Sequence, residues 1–294
     1  MIVAAVALFG ADGYLAHRFA DAPADQWSTR LARCGISTVL ILVLSQLAIG
    51  EFIRLTRQAG YNPLSVWPRL TAAALVALPW LTLVGLVPEL GALSARLSPT
   101  SHLLTIGIAG TIVFMVLRRQ TEKALSNLAI SILIIAYLGY FSSFVVRLRC
   151  DFPTAAGAYW VIYYIAVTKF TDIGAFLIGR KIGKTKLIPA VSPGKSVEGF
   201  VGGIVVAVLV AILLGRFAPT WAQFSHAPSL AQVIGFGVLI AIFGQLGDLI
   251  ISLLKRDIGI KDSGQVVPAF GGYLDIVDSP LLTAPVAWLL LATW

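Results

Sequence analysis

The sequence predicts an all-α polytopic membrane protein with about eight or nine transmembrane helices. Composition is the first reason: 58% of the 294 residues are hydrophobic and only 12% are charged, against about 25% charged in a typical soluble domain. Mean hydropathy is +0.88. The second reason is pattern. The apolar runs are continuous over about the 20 residues that a spanning helix needs, and they lack the period-two alternation of barrel strands. A bilayer admits only helices and closed barrels, because lipid leaves every backbone polar group to be satisfied internally. The chain is therefore helical.

In chain order, the expected spans are 2–20, 32–50, 70–88, 101–117, 125–146, 156–178, 200–217, 231–253 and 281–294. Asp12 and His17 interrupt the first. A cleaved signal peptide with Phe19-Ala20-Asp21-Ala22 as its small-residue site is disfavoured, since no basic residue precedes the apolar run. The last span has only 14 residues, so it is expected to tilt, to thin the bilayer or to cross only in part. The segment 218–229 reads as a polar-aromatic loop. Residues 1–150 form an amino-terminal set of helices, serving as scaffold, dimer contact or lipid-facing part. Residues 151–294 form the part expected to carry the chemistry, with motif loops at 179–199 and 255–280.

Charge sets the expected orientation. One set of loops holds 14 of the 22 Lys and Arg residues, including Arg54, Arg118, Lys184 and Lys255, and the opposite loops hold seven. The richer side is expected to be cytoplasmic in a bacterial-type inner membrane. The net charge of +8 fits that bias, and it also suits an anionic substrate or lipid at that face. No basic-aromatic module outside the membrane points to nucleic acid. Cys34 and Cys150 lie in or beside apolar runs and read as packing residues, with no disulfide framework. His17, His102 and His226 are scattered, so neither a zinc set nor a Ser-His-Asp arrangement can be assembled from them.

Four segments could hold chemistry. Asp172, in Thr171-Asp172-Ile173-Gly174-Ala175, follows Lys169 by three residues, which places both on one helix face; an intramembrane ion pair is the plain alternative to a substrate contact. Gly179-Arg180-Lys181-Ile182-Gly183-Lys184-Thr185-Lys186 sets two glycines among four cations. Such a loop can approach and neutralise a phosphate, although its spacing is not that of a Walker loop. In Ser192-Pro193-Gly194-Lys195-Ser196-Val197-Glu198-Gly199, Ser192 is expected to cap a helix with Pro193 at its first position, giving an anion-binding amino end beside Lys195 and Ser196.

The fourth segment, 248–279, holds five of the chain's 14 acidic residues. Carboxylates beside a membrane are costly unless paired or metal-bound, so they mark function by default. Asp248, Ser252 and Lys255 share a helical face, which leads to Arg256, Lys261 and Asp262. Asp275 and Asp278 would share a face if helical, and Gly271 and Gly272 permit close approach. Convergence of Asp248, Asp275 and Asp278 would suit Mg²⁺, which takes few protein carboxylates and leaves other positions to phosphates and water. Ordinary acids in glycine-rich turns are the alternative.

Taken together, Ser252-x-x-Lys255-Arg256-x4-Lys261-Asp262-x-Gly264-x3-Pro268-x2-Gly271-Gly272-x2-Asp275-x2-Asp278-Ser279 resembles the signature of the phosphatidate cytidylyltransferase (CDP-diacylglycerol synthase) family. Asp172-x-Gly174-Ala175 and Ser192-Pro193-x-Lys195-Ser196-x-Glu198-Gly199 look like that family's other two motifs. The likeness runs over about residues 160–285 in the right order. It implies a transferase of phospholipid biosynthesis that makes CDP-diacylglycerol and pyrophosphate from CTP and phosphatidic acid. By motif position it implies that Asp248, Asp275 and Asp278 hold Mg²⁺, with a second, monovalent cation as an open alternative. Ser192, Lys195, Ser196 and Glu198 would bind substrate phosphate or order the site; Lys255, Arg256 and Lys261 would neutralise phosphates. A homodimer in the bilayer is compatible with the resemblance. The chain departs from the family at Phe270, where histidine is usual, at Ile276, where arginine is usual, and at Pro268-Ala269 in place of Pro-Gly. Competing classes are a CTP-dependent lipid or polyprenol kinase, a non-catalytic paralogue and a transporter.

Overall fold

A computed structural model describes residues 34–87, 98–119, 121–152, 154–216, 228–260 and 272–294. The expected span 2–20 lies outside the described residues. Among those described, eight helices are long and apolar enough to cross a membrane. They are α1 (Gly35–Gln58), α2 (Val66–Val84), α3 (Pro99–Leu117), α4 (Ala124–Cys150), α5 (Thr154–Ile182), α6 (Val197–Arg216), α7 (Leu230–Asp257) and α8 (Tyr273–Leu291). Between α5 and α6 a short antiparallel hairpin pairs β1 (Lys186–Ile188) with β2 (Ser192–Ser196).

Two expectations change. The last helix is not a 14-residue fragment: it starts at Tyr273 and runs 19 residues, with Pro280 and Pro285 inside it. An apolar window misplaces this start because the helix opens on two acidic residues. Ser192 and Pro193 do not begin a helix either. They lie in β2, where every strand of a two-stranded hairpin is an edge and proline loses no obligatory bond. The cap falls instead to Ser196, whose Oγ accepts the Gly199 N–H at 3.1 Å.

The helix ends follow local chemistry. Ser229 and Gln232 close a capping box at the start of α7. The same helix stops at Gly259, whose φ of +75° allows Gly259 N–H to reach Arg256 O and Ile260 N–H to reach Lys255 O. Gly60 ends α1 in the same way, with Tyr61 N–H on Thr56 O.

Packing has the inverted pattern of a membrane bundle. On α6 the large residues Val201, Val205, Leu209 and Leu213 are exposed at four-residue spacing, while Gly199, Gly203, Ala207, Ala211 and Gly215 are buried. Small residues let backbones approach, and close van der Waals packing then replaces the missing hydrophobic drive. A Cβ on Gly199 would sit 2.7 Å from Ala175 O on α5. The buried core continues through Trp160, Tyr163, Tyr164 and Phe236. Mid-way along α4, residues Ile134–Tyr140 form a π-helical stretch, packed on α2 where Gly139 meets Ala72.

Candidate active site at the α5–α8 end of the bundle

The hairpin end of α5, the start of α6, the carboxyl end of α7 and the amino end of α8 meet in one place. On α5, Lys169 and Asp172 are 3.6 Å apart, the same-face pairing that their spacing predicts. Asp248 on α7 has two partners. Its Oδ2 lies 2.8 Å from Lys195 Nζ, and its Oδ1 accepts the Ser252 hydroxyl at 3.2 Å. Lys195 comes from β2 and also donates to Gln245 O at 3.3 Å. The hairpin motif and the acidic motif, 53 positions apart in the chain, are therefore joined by an ion pair.

Gly247 brings α8 onto α7. A Cβ there would lie 2.6 Å from Asp278 O, so only glycine leaves room for the two helices to touch. Around this contact Asp248, Asp278 and Asp172 lie within electrostatic reach of one another, with Lys169 and Lys195 among them. Asp278 is buried, and its Oδ1 accepts the Ser279 N–H at 2.5 Å and the Ser279 hydroxyl at 3.1 Å. Asp275 sits one turn earlier on α8. Its Oδ1 is 2.6 Å from Lys255 Nζ, and its Oδ2 accepts the Gly272 N–H at 3.3 Å.

Beside this cluster opens a cleft of about 550 Å³, lined by Asp172, Arg180, Lys186, Ser192, Lys195, Ser196 and Asp248 among others. Cations, hydroxyls and carboxylates thus share one wall. Around it, several expected site residues hold the frame. Glu198 takes the Thr185 N–H on both carboxylate oxygens, at 3.1 and 3.2 Å, which closes the base of the hairpin. Arg256 donates Nε–H to Val191 O at 3.3 Å and so ties the hairpin turn to the end of α7. Gly272 is the N-cap of α8. Lys261, Asp262 and Gly271 lie outside the described residues, as does Phe270. Ile276 lines a small apolar cavity of about 110 Å³, together with Leu40, Ile41 and Leu281.

Among the described residues, no three His, Cys, Asp or Glu side chains are gathered closely enough to form a metal-binding group by themselves. The nearby carboxylates still form an all-oxygen donor set. Magnesium asks for only one or two protein carboxylates when phosphates supply the rest, so Asp248 and Asp278 fit it in chemical type.

Three contributors escaped the sequence. Gln245 lies three residues before Asp248; its amide donates to Phe200 O at 3.2 Å and Ala241 O at 3.3 Å, cross-linking α7 to α6. Tyr137, in the π-helical stretch, donates its hydroxyl to Asp278 O at 3.3 Å. Glu51 on α1 accepts the Leu274 N–H at 3.0 Å. A lone acid inside an apolar run was the available signal for Glu51, but the expected span ended at Gly50, one residue short of it.

Residues 31–294 match the model of the Cytidylyltransferase family. The chain belongs to that family. The match takes in the amino-terminal helices as well as the motif-bearing half. Among individual relatives of this cytidylyltransferase-family chain, a phosphatidate cytidylyltransferase of Staphylococcus saprophyticus is 37% identical over 163 residues, covering 55% of this chain and 58% of that protein. The Staphylococcus aureus (strain COL) protein of the same name is 34% identical over 163 residues, with the same coverage. An uncharacterized protein of Escherichia coli K12, YnbB, is 39% identical over 130 residues, covering 44% of this chain and 41% of that one. The chain thus spans about half the length of the curated relatives it matches.

Proposed function

We propose that this protein is a phosphatidate cytidylyltransferase, which joins CTP to phosphatidic acid to give CDP-diacylglycerol and pyrophosphate. The observation that carries the reading is the cleft wall on which Lys195 is paired to Asp248 while Arg180 and Lys186 stand nearby, in a chain of the cytidylyltransferase family. Phosphoryl chemistry of this kind needs mainly positioning and charge neutralisation. The attacking lipid phosphate is already anionic, so no strong base is required.

The chain's own residues divide the work. Arg180, Lys186 and Lys195 neutralise the triphosphate, and Ser192 and Ser196 offer hydroxyls to its oxygens. The Lys195–Asp248 pair lets one ammonium be handed from carboxylate to phosphate as substrate arrives. Asp248 and Asp278 would hold Mg²⁺, which when bound would neutralise charge developing on phosphate oxygens. Lys169 and Asp172, paired on α5, hold the α5 side of the cluster. The lipid reaches the site sideways from the bilayer and CTP from the aqueous side. That side is taken as the cytoplasm on the Lys and Arg bias of the loops, in the inner membrane of a bacterium.

The test is pyrophosphate release by the detergent-purified protein with CTP, Mg²⁺ and phosphatidic acid, omitting each in turn. Release that needs all three is the expected result. CDP as the released product would mean a lipid kinase, and no turnover by a monodisperse sample would mean a different acceptor or a silent relative.

A further inference from the structure

Helix α8 begins in an unusual way. Its first N–H groups have no partners within the helix, and the side chain that would normally cap them is missing because the N-cap is Gly272. Asp275 turns back to accept the Gly272 N–H, which is half of a capping box. The other half comes from far away: Glu51 Oε2, on α1, accepts the Leu274 N–H at 3.0 Å across 223 positions of sequence. Glu51 is 6% exposed, and its Oε1 has no hydrogen-bond partner among the described residues. Its neighbours on α1 include Ala48, Phe52 and Ile53, all buried in an apolar cluster that also contains Leu274.

A carboxylate in such surroundings is expensive, and a serine at position 272 would cap the helix without it. The benefit of Glu51 lies in where it comes from. The negative group meets the positive end of the α8 dipole and fixes that end to α1. Tyr137 fixes the next turn from α4 through Asp278 O. These two anchors bracket the turn that carries Asp275, paired to Lys255, and Asp278, which lies within electrostatic reach of Asp248.

We infer that Glu51 is a positioning residue of the active site: a buried carboxylate from the amino-terminal helices that substitutes for the cap Gly272 lacks and holds the first turns of α8 where Asp275 and Asp278 must stand. This inference rests on the proposed reaction for its effect on turnover, but its effect on α8 is independent of that reaction.

The experiment uses the full chain in detergent and compares Glu51→Leu, which keeps the volume and loses the acceptor, with Glu51→Gln, which keeps an acceptor oxygen. Glu51→Met replaces the leucine variant if that one does not fold. Hydrogen–deuterium exchange is followed for peptides covering 272–279, with 160–168 of α5 as the internal control. In Glu51→Leu, exchange over 272–279 is expected to quicken roughly five- to tenfold, the loss of one cap, with α5 unchanged. In the pyrophosphate assay kcat is expected to fall roughly ten- to a hundredfold, as for misplaced catalytic groups, while KM for CTP holds within about twofold if binding is spared. Glu51→Gln is expected to restore both. Unchanged exchange and turnover in the apolar variant would overturn the inference, as would a glutamine variant that exchanges as fast as the leucine one. If the unsubstituted protein releases no pyrophosphate, the proposed reaction fails, and the exchange comparison still decides the role of Glu51.

Discussion

The Lys169 ammonium donates to the carbonyl of Ile276 at 3.4 Å, and Pro280 is the reason that carbonyl is free to receive it. In a regular helix the N–H four residues on would occupy it, but proline has none. An interior proline in α8 thus exposes a backbone acceptor facing α5, and Lys169 uses it while remaining 3.6 Å from Asp172. Pro280→Ala should return the helical bond to Ile276, raise the thermal midpoint and lower pyrophosphate release as Lys169 loses its anchor. The gain is bounded by the ~3 kcal/mol that an interior proline costs a helix. Thermal unfolding measured beside turnover checks both directions; a variant that is neither more stable nor less active would refute the link.

Gly247→Ala should separate Asp248 from Asp278. The new methyl would meet Asp278 O at 2.6 Å, a backbone atom that cannot rotate away. Overpacking of this kind costs about 1–3 kcal/mol, so both thermal stability and turnover should fall. Gly235→Ala on the same helix is the control, because nothing lies within 4 Å of its Cβ position. It should be neutral or stabilising by roughly 0.5–1 kcal/mol, the usual cost of a helical glycine.

Asp275→Asn should abolish most turnover while leaving a folded, membrane-inserted protein. It keeps the shape and an acceptor for the Gly272 N–H but leaves the Lys255 ammonium, now 2.6 Å from Asp275 Oδ1, without its counter-charge. We expect kcat for pyrophosphate release to fall by about a hundredfold or more. Size-exclusion behaviour in detergent controls for folding, and parental turnover in this variant would remove Asp275 from the machinery.

Lys195→Met and Asp248→Asn should be strongly non-additive in kcat/KM, since each removes the other's partner at 2.8 Å. Contacting residues couple by about 0.5–3 kcal/mol in such cycles, and the double variant should be little worse than the poorer single one. Simple multiplication of the two defects would show that the residues act separately.

The sequence by itself determined the class of protein, the family its motifs belong to and which motif residues share a helix face. Continuous apolar runs dictate helices because lipid offers the backbone no partners. The Lys169–Asp172 and Asp248–Ser252 relationships follow from helical periodicity alone, and both are present. Only the tertiary structure decided which motif meets which. That Lys195 pairs with Asp248 depends on a hairpin folding back over α7, and local propensity placed Ser192 in a helix instead of a strand. That Asp275 meets Lys255 depends on the close contact of α7 with α8 at Gly247. Glu51 and Tyr137 reach α8 from elements 223 and 141 positions away. Periodicity reports the face of one helix; which faces touch is set by packing between small residues and by the search of orphaned backbone groups for partners, and those are properties of the assembled bundle.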